Sequence, residues 1–113
     1  MDNVINKTDL PSGGTAWKFE GYLHQQVNVS FFISETPPGR GPALHRHPYE
    51  EVFIILDGQL TMTLGDASVE AAAGQIVIVP PETPHQFTNS GPAVARHVDI
   101  HASSRMETTW LDD

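Results

Sequence analysis

Residues 39–58 constrain this chain more than any other stretch. After Gly39-Arg40-Gly41-Pro42-Ala43-Leu44 the sequence runs His45-Arg46-His47-Pro48-Tyr49-Glu50-Glu51, passes straight into Val52-Phe53-Ile54-Ile55-Leu56 and closes at Asp57-Gly58. A short apolar run rich in β-branched and aromatic residues and ended by Asp-Gly reads as a buried strand. Side chains alternate sides along a strand, so the shared parity of His45, His47 and Glu51 predicts that all three project from one face; Glu50 then points to the outer face. Three polar side chains on a face that is otherwise buried are costly unless something compensates them, and a divalent cation does so. The bland alternative for a His-x-His pair is solvation or ordinary hydrogen bonding, and the second segment weighs against it. Gly74-Gln75-Ile76-Val77-Ile78-Val79 is another apolar strand, stopped by Pro80 and Pro81, which cannot donate to a ladder, and just past the turn it delivers His85.

The remaining chain alternates in the same short units. Residues 15–22 alternate large and polar side chains, which predicts a half-buried strand with Trp17 and Phe19 in the core. Val27, Val29, Phe31 and Ile33 alternate with Asn28, Ser30, Phe32 and Ser34, giving a strand with one largely polar face that ends at 36–39. Residues 59–64 alternate again, and Gly65-Asp66 turns them into 67–73. The three alanines at 71–73 favour helix by propensity, but the segment is short, bounded by glycines and set among strands, so a strand is expected. A closing strand is expected over roughly 93–101, followed by a tail at 105–113 in which Trp110 and Leu111 serve as an anchor. Residues 1–14 read as a flexible arm and 15–113 as one domain. His24 belongs to no spaced pattern and reads as a surface residue. No stretch shows sustained helical periodicity, so the chain is all-β.

The two segments together resemble the cupins. The pattern G-x5-H-x-H-x3-E-x6-G is met by Gly39, His45, His47, Glu51 and Gly58, and G-x5-P-x-G-x2-H-x3-N by Gly74, Pro80, His85 and Asn89, with Glu82 standing where the inner glycine belongs. Glu82 must therefore hold a backbone conformation that glycine adopts without strain. The resemblance implies a single-domain jelly-roll β-barrel of two antiparallel sheets, with His45, His47, Glu51 and His85 as ligands to one metal. Three imidazoles and a carboxylate, in a chain without cysteine, suit divalent Fe, Mn, Co, Ni, Zn or Cu.

At 113 residues the chain is long enough for one core and too short for two, so a second catalytic or DNA-binding domain is not expected. Its formal charge of −8 repels nucleic acid and anionic membrane surfaces, and serves mainly solubility. No secretory signal is visible in the first ten residues and no apolar run approaches a membrane span, which makes a cytoplasmic location the expectation. The strands at 52–56 and 76–79 are apolar on both faces; one fills the barrel, and the other calls for a cover, expected to be a second subunit in a homodimer.

Four protein ligands on an octahedral ion leave two positions open, the condition for catalysis. The expected function is a metal-dependent enzyme acting on a small oxygen-bearing organic substrate by dioxygenase-like oxygen insertion, ahead of isomerase, lyase and cyclase chemistry. The alternative is a non-catalytic cupin that binds a small molecule or metal for sensing or sequestration. His97, Asp99 and His101 share one face of the closing strand. Apolar patterning alone turns Val98 and Ile100 inward and this trio to solvent. A wet, polar metal cavity reverses that expectation, so the trio is expected to face in as catalytic or substrate-contacting groups, with Val98 and Ile100 outside.

Overall fold

The computed structural model describes residues 3–111, so the outermost two positions at each end of the expected arm and tail lie outside it. Ten strands follow in order: β1 (Ala16–Glu20), β2 (Ser30–Thr36), β3 (His45–Arg46), β4 (Glu51–Asp57), β5 (Gln59–Leu64), β6 (Ala67–Ala72), β7 (Ile76–Val79), β8 (His85–Thr88), β9 (Ala95–His101) and β10 (Thr109–Trp110). They form two five-stranded sheets, ordered β1-β2-β9-β4-β7 and β10-β3-β8-β5-β6, with every pairing antiparallel. This is a jelly roll, and 67–72 is a strand despite its alanines, pairing with β5 over its full length at the edge of the second sheet.

Glycine and proline punctuate the strands where a turn demands them. Gly58 has φ +82 between β4 and β5, and Gly74 has φ +88 ahead of β7, in the left-handed region that costs other residues energy. Glu82 occupies the same region at φ 62, as its place in the motif required. Its N–H donates to His47 O at 2.7 Å, and its carboxylate lies 3.7 Å from Arg46, so the strained turn is tied directly to the histidine-bearing segment.

The interior is divided. Phe53, Ile55, Leu60, Met62, Ala71, Val79, Phe87 and Ala95 form one buried apolar cluster. The inward face of β2 and β9 is polar instead: Ser30, Ser34, Thr36, His97, Asp99 and His101 are all buried. The outward face of the same sheet is apolar except for the Glu35–Arg96 pair at one end of β2 and β9. Two cross-strand rows traverse all five strands, Phe19, Phe31, Ile100, Val52, Ile78 and Trp17, Ile33, Val98, Ile54, Ile76, with no polar side chain in either. At the β7 edge Ile76 and Ile78 are 64% and 66% exposed.

Several local expectations change. β2 begins at Ser30, and Val27, which the alternation placed in that strand, is exposed because 21–29 is a turn gathered around Gly21. Trp17 and Phe19 stand on the outer face, away from the main core. Trp17 is half-buried beneath the Lys7 ammonium, 4.3 Å from the ring centroid, and Phe19 is buried between Phe31 and His24. His24, read as a surface residue, is half-buried in that stack. The N-terminal segment lies against the sheet: Leu10 is buried and Lys18 N–H donates to Pro11 O at 2.9 Å.

Candidate metal centre

His45, His47 and His85 lie in the second sheet or its loop, and Glu51 starts β4 in the first. The parity rule does not explain their meeting, because β3 ends at Arg46 and residues 48–50 bend the chain from one sheet to the other. What brings them together is the facing of the two sheets. His45 pairs with His85 across the β3–β8 ladder, and Glu51 enters from the opposite wall. All four side chains are buried, and one donor atom from each lies within 4.8 Å of the others. Glu50 is exposed, on the far side of the bend.

Hydrogen bonding fixes which ring nitrogens are free. Nδ1 of His45 donates to Ala43 O at 2.7 Å, Nδ1 of His47 to Glu107 O at 2.8 Å and Nδ1 of His85 to Thr83 O at 2.8 Å. A carbonyl can only accept, so in each neutral ring Nδ1 holds the proton and Nε2 presents a lone pair. His47 Nε2 is buried without a hydrogen-bond partner, though Glu51 Oε1 is 3.1 Å away, and His85 Nε2 is 3.0 Å from the same oxygen. Lone pairs packed against a carboxylate oxygen repel one another unless a cation stands among them. Metal–ligand bonds of ~2.1 Å put neighbouring donors of an octahedral ion about 3.0 Å apart, close to the separation of Glu51 Oε1 from the Nε2 atoms of His47 and His85. The donor set fits a divalent metal, with each histidine oriented from behind by a backbone carbonyl.

Electrostatics point the same way. Burial pushes His45 down to about 4, against the Ala43 hydrogen bond that raises it, so this ring stays neutral over the ordinary pH range. Burial works to raise Glu51, but its close contacts with His101, His47 and His85 outweigh it and hold the carboxylate far below its usual range. For His85, burial is outweighed by the contacts to Glu51 and Thr83, and its pKa rises.

Residues 32–101, over half of the chain, match the cupin domain family. The chain is a cupin. An uncharacterized protein of Methanocaldococcus jannaschii is 34% identical over 61% of this chain and 56% of its own length. Auxin-binding protein 4 of Zea mays is 33% identical over 59% of this chain and 37% of its own. The cupin thus spans about half or less of these relatives. Among solved structures, an S161A mutant of Bacillus subtilis oxalate decarboxylase superposes with a TM-score of 0.79 at 17% identity, over 91% of this chain and 30% of that one. A double-stranded β-helix protein from Klebsiella pneumoniae gives 0.75 at 21% identity over the whole of both chains.

Beside the four clustered residues, the cupin's closing strand turns His97, Asp99 and His101 inward, all under 5% exposed, while Val98 and Ile100 join the outer rows. The three differ in position. Asp99 and His101 line the cavity over the cluster, whereas His97 stands behind Asp99: its Nδ1 is 2.5 Å from Asp99 Oδ1 and its Nε2 2.9 Å from Thr36 Oγ1. Burial raises the Asp99 pKa despite the His97 contact. His101 Nε2 lies 3.3 Å from Glu51 Oε2, and its Nδ1 is 2.6 Å from the hydroxyl of Tyr49. Tyr49 is buried, its hydroxyl pushed up to about 12 by burial, and that oxygen also accepts the Glu107 N–H at 3.2 Å. Sequence reasoning missed Tyr49, although a large side chain set between His47 and Glu51 was the available signal. It also missed Thr36 and Ser34, whose polar face is the cavity wall. Trp110, expected as an anchor, is 60% exposed with its ring 5.0 Å from that of His45, and β10 holds it there by pairing with β3.

Proposed function

We propose that this cupin is a metal-dependent enzyme acting on a small oxygen-bearing organic substrate, with His45, His47, Glu51 and His85 holding one divalent ion. The observation that carries this reading is the convergence of three Nδ1-protonated imidazoles on one Glu51 carboxylate, with the buried His47 Nε2 unpartnered. When bound, such an ion would supply Lewis acidity to an oxygen-bearing substrate. Oxygen insertion is the favoured chemistry among the options for such a site.

The chain's own groups divide the remaining work. Tyr49 O–H donates to His101 Nδ1, and His101 Nε2–H donates to Glu51 Oε2, which orients the carboxylate among the three histidines. Asp99 faces the cavity, its pKa raised by burial, in position to exchange a proton with substrate; His97 fixes its orientation from behind. Phe53 and Phe87 close the inner wall against water. The apolar outer rows favour a homodimer, with a second copy covering the sheet. A non-catalytic, ligand-binding role is the second reading, favoured by the relative named for auxin binding.

Oxygen uptake decides between the two. Protein purified without an affinity-tag nickel step and loaded with Fe(II) or Mn(II) is expected to consume oxygen with at least one member of a panel of small oxygenated compounds. Tight binding of panel members with neither oxygen consumption nor product would contradict catalysis and favour the binding role.

A further inference from the structure

The cavity over the metal centre has a volume of about 530 Å³, within the usual range for a small-molecule site. Its two ends carry opposite kinds of group. At the buried end Glu51 and Asp99 are the only carboxylates in the lining among the described residues, 3% and 4% exposed, and each is already engaged by histidine. At the open end stand Arg40, which is exposed, and Lys18, whose side chain is 40% exposed. Phe53 and Phe87 at the inner wall, with Phe32 and the more exposed Trp110, supply apolar lining. The chain has only 6 Lys and Arg against 14 Asp and Glu, so placing two cations on one cavity runs against its composition.

Arg40 is also held in place. Gly39 N–H donates to Asn89 O at 2.8 Å, Asn89 N–H donates to Arg40 O at 2.9 Å, and Gly41 lies so close to β8 that a Cβ there would fall 1.8 Å from Phe87 O. The guanidinium therefore extends from a backbone clamped on both sides, and no carboxylate among the described residues forms an ion pair with it. Lys18 is shared with Glu20 at 3.3 Å, whose other oxygen accepts the Met106 N–H. A neutral ligand leaves the Arg40 fork to water. A carboxylate matches it with two parallel charge-assisted hydrogen bonds.

We propose that the substrates of this cavity are small organic monocarboxylates with an apolar or aromatic body. The carboxylate is held at the mouth by Arg40, assisted by Lys18; the body lies on the aromatic walls, and its far end meets the metal centre. This assignment rests on the proposed metal-dependent reading and names its substrate class. It differs from direct carboxylate ligation of the ion, because recognition then depends on Arg40.

Phenylacetate and phenylacetamide, alike in shape and different in charge, test it by calorimetry on wild type, Arg40→Gln and Lys18→Gln, each with Mn(II) loaded and stripped. Wild type is expected to prefer the acid by about tenfold, as a charge-assisted pair supplies. Arg40→Gln is expected to bring that preference below about threefold, with Lys18→Gln between, while Mn(II) affinity and thermal midpoint stay at wild-type values. Equal binding of acid and amide, no binding of phenylacetate by loaded wild type at millimolar concentration, or a preference undiminished in Arg40→Gln overturns the proposal. The Mn(II) titration of the same samples is read separately. Absent metal binding with an Arg40-dependent acid preference retained in stripped protein sinks the metal reading and upholds the anion site.

Discussion

Glu51 Oε1 stands 3.0 Å from His85 Nε2, across the interior from one sheet to the other. Because Thr83 O already takes the Nδ1 proton, making this contact a hydrogen bond requires a second proton on the ring, and the raised pKa of His85 follows. A divalent ion held by the cluster would take the place of that proton.

Metal affinity should therefore depend on pH through His85 first. Its folded pKa lies above the ordinary histidine value of 6.5, so protons already compete with metal there above that pH; His45, at about 4, competes only in acid. Affinity is expected to fall by about tenfold per unit as pH drops below the His85 value, and more steeply near pH 4. The linked sign for the stripped protein is opposite. A raised folded pKa contributes stability that is present below 6.5 and lost as pH rises through the folded value, so metal-induced stabilisation should widen with rising pH. Titrations between pH 5 and 8 giving one constant affinity would contradict both.

Tyr49→Phe removes the hydroxyl that meets His101 and Glu107 N–H, and keeps the ring stacked on His47 at 5.2 Å between centroids. His101 then loses its support behind Glu51. Outer partners of this kind are worth roughly 10–100-fold in metal affinity, and a loss of about tenfold is expected with the fold intact. Calorimetric titration of wild type and variant checks it, and equal affinities would leave Tyr49 with packing alone.

Glu82→Gly should stabilise the protein. The left-handed conformation costs a non-glycine residue roughly 1–2 kcal/mol, glycine's extra unfolded freedom returns about 0.5–1, and the exposed contact to Arg46 at 3.7 Å adds little. A net gain of up to about 1 kcal/mol in urea unfolding is expected; a loss of that size would show that the Arg46 contact matters more than the backbone.

The two apolar rows on the outer sheet predict self-association. Sedimentation at micromolar concentration is expected to give a dimer, and Ile78→Glu, placing a charge on the exposed β7 edge of the row, to give monomer with unchanged metal binding. A monomeric wild type would remove the homodimer from the account.

Much of the fold was legible because period two survives in nearly every strand, and Asp57-Gly58, Gly65 and Pro80 punctuate them where turns must fall. The site was legible in part. Histidine spacing identified the cluster, but parity gave the wrong reason for it, since residues 48–50 break the strand and carry Glu51 into the other sheet. Trp17 and Phe19 were expected in the core because alternation reveals that a strand has two faces and not which one looks inward. Around this cavity the apolar face looks out. Tyr49 stayed hidden because its role depends on His101, 52 residues away, and on Glu107 N–H beyond that.

The central claim is that four side chains hold one ion. Metal titration of protein purified without nickel, followed by absorption spectroscopy at the metal edge, tests it most directly on wild type, Glu51→Gln and His85→Ala. The account predicts one divalent ion per chain with nitrogen and oxygen neighbours at ~2.0–2.2 Å, and a loss of at least about 100-fold in affinity in either variant. Wild type that takes up no metal at micromolar concentration, or variants that bind it as tightly as wild type, would contradict it.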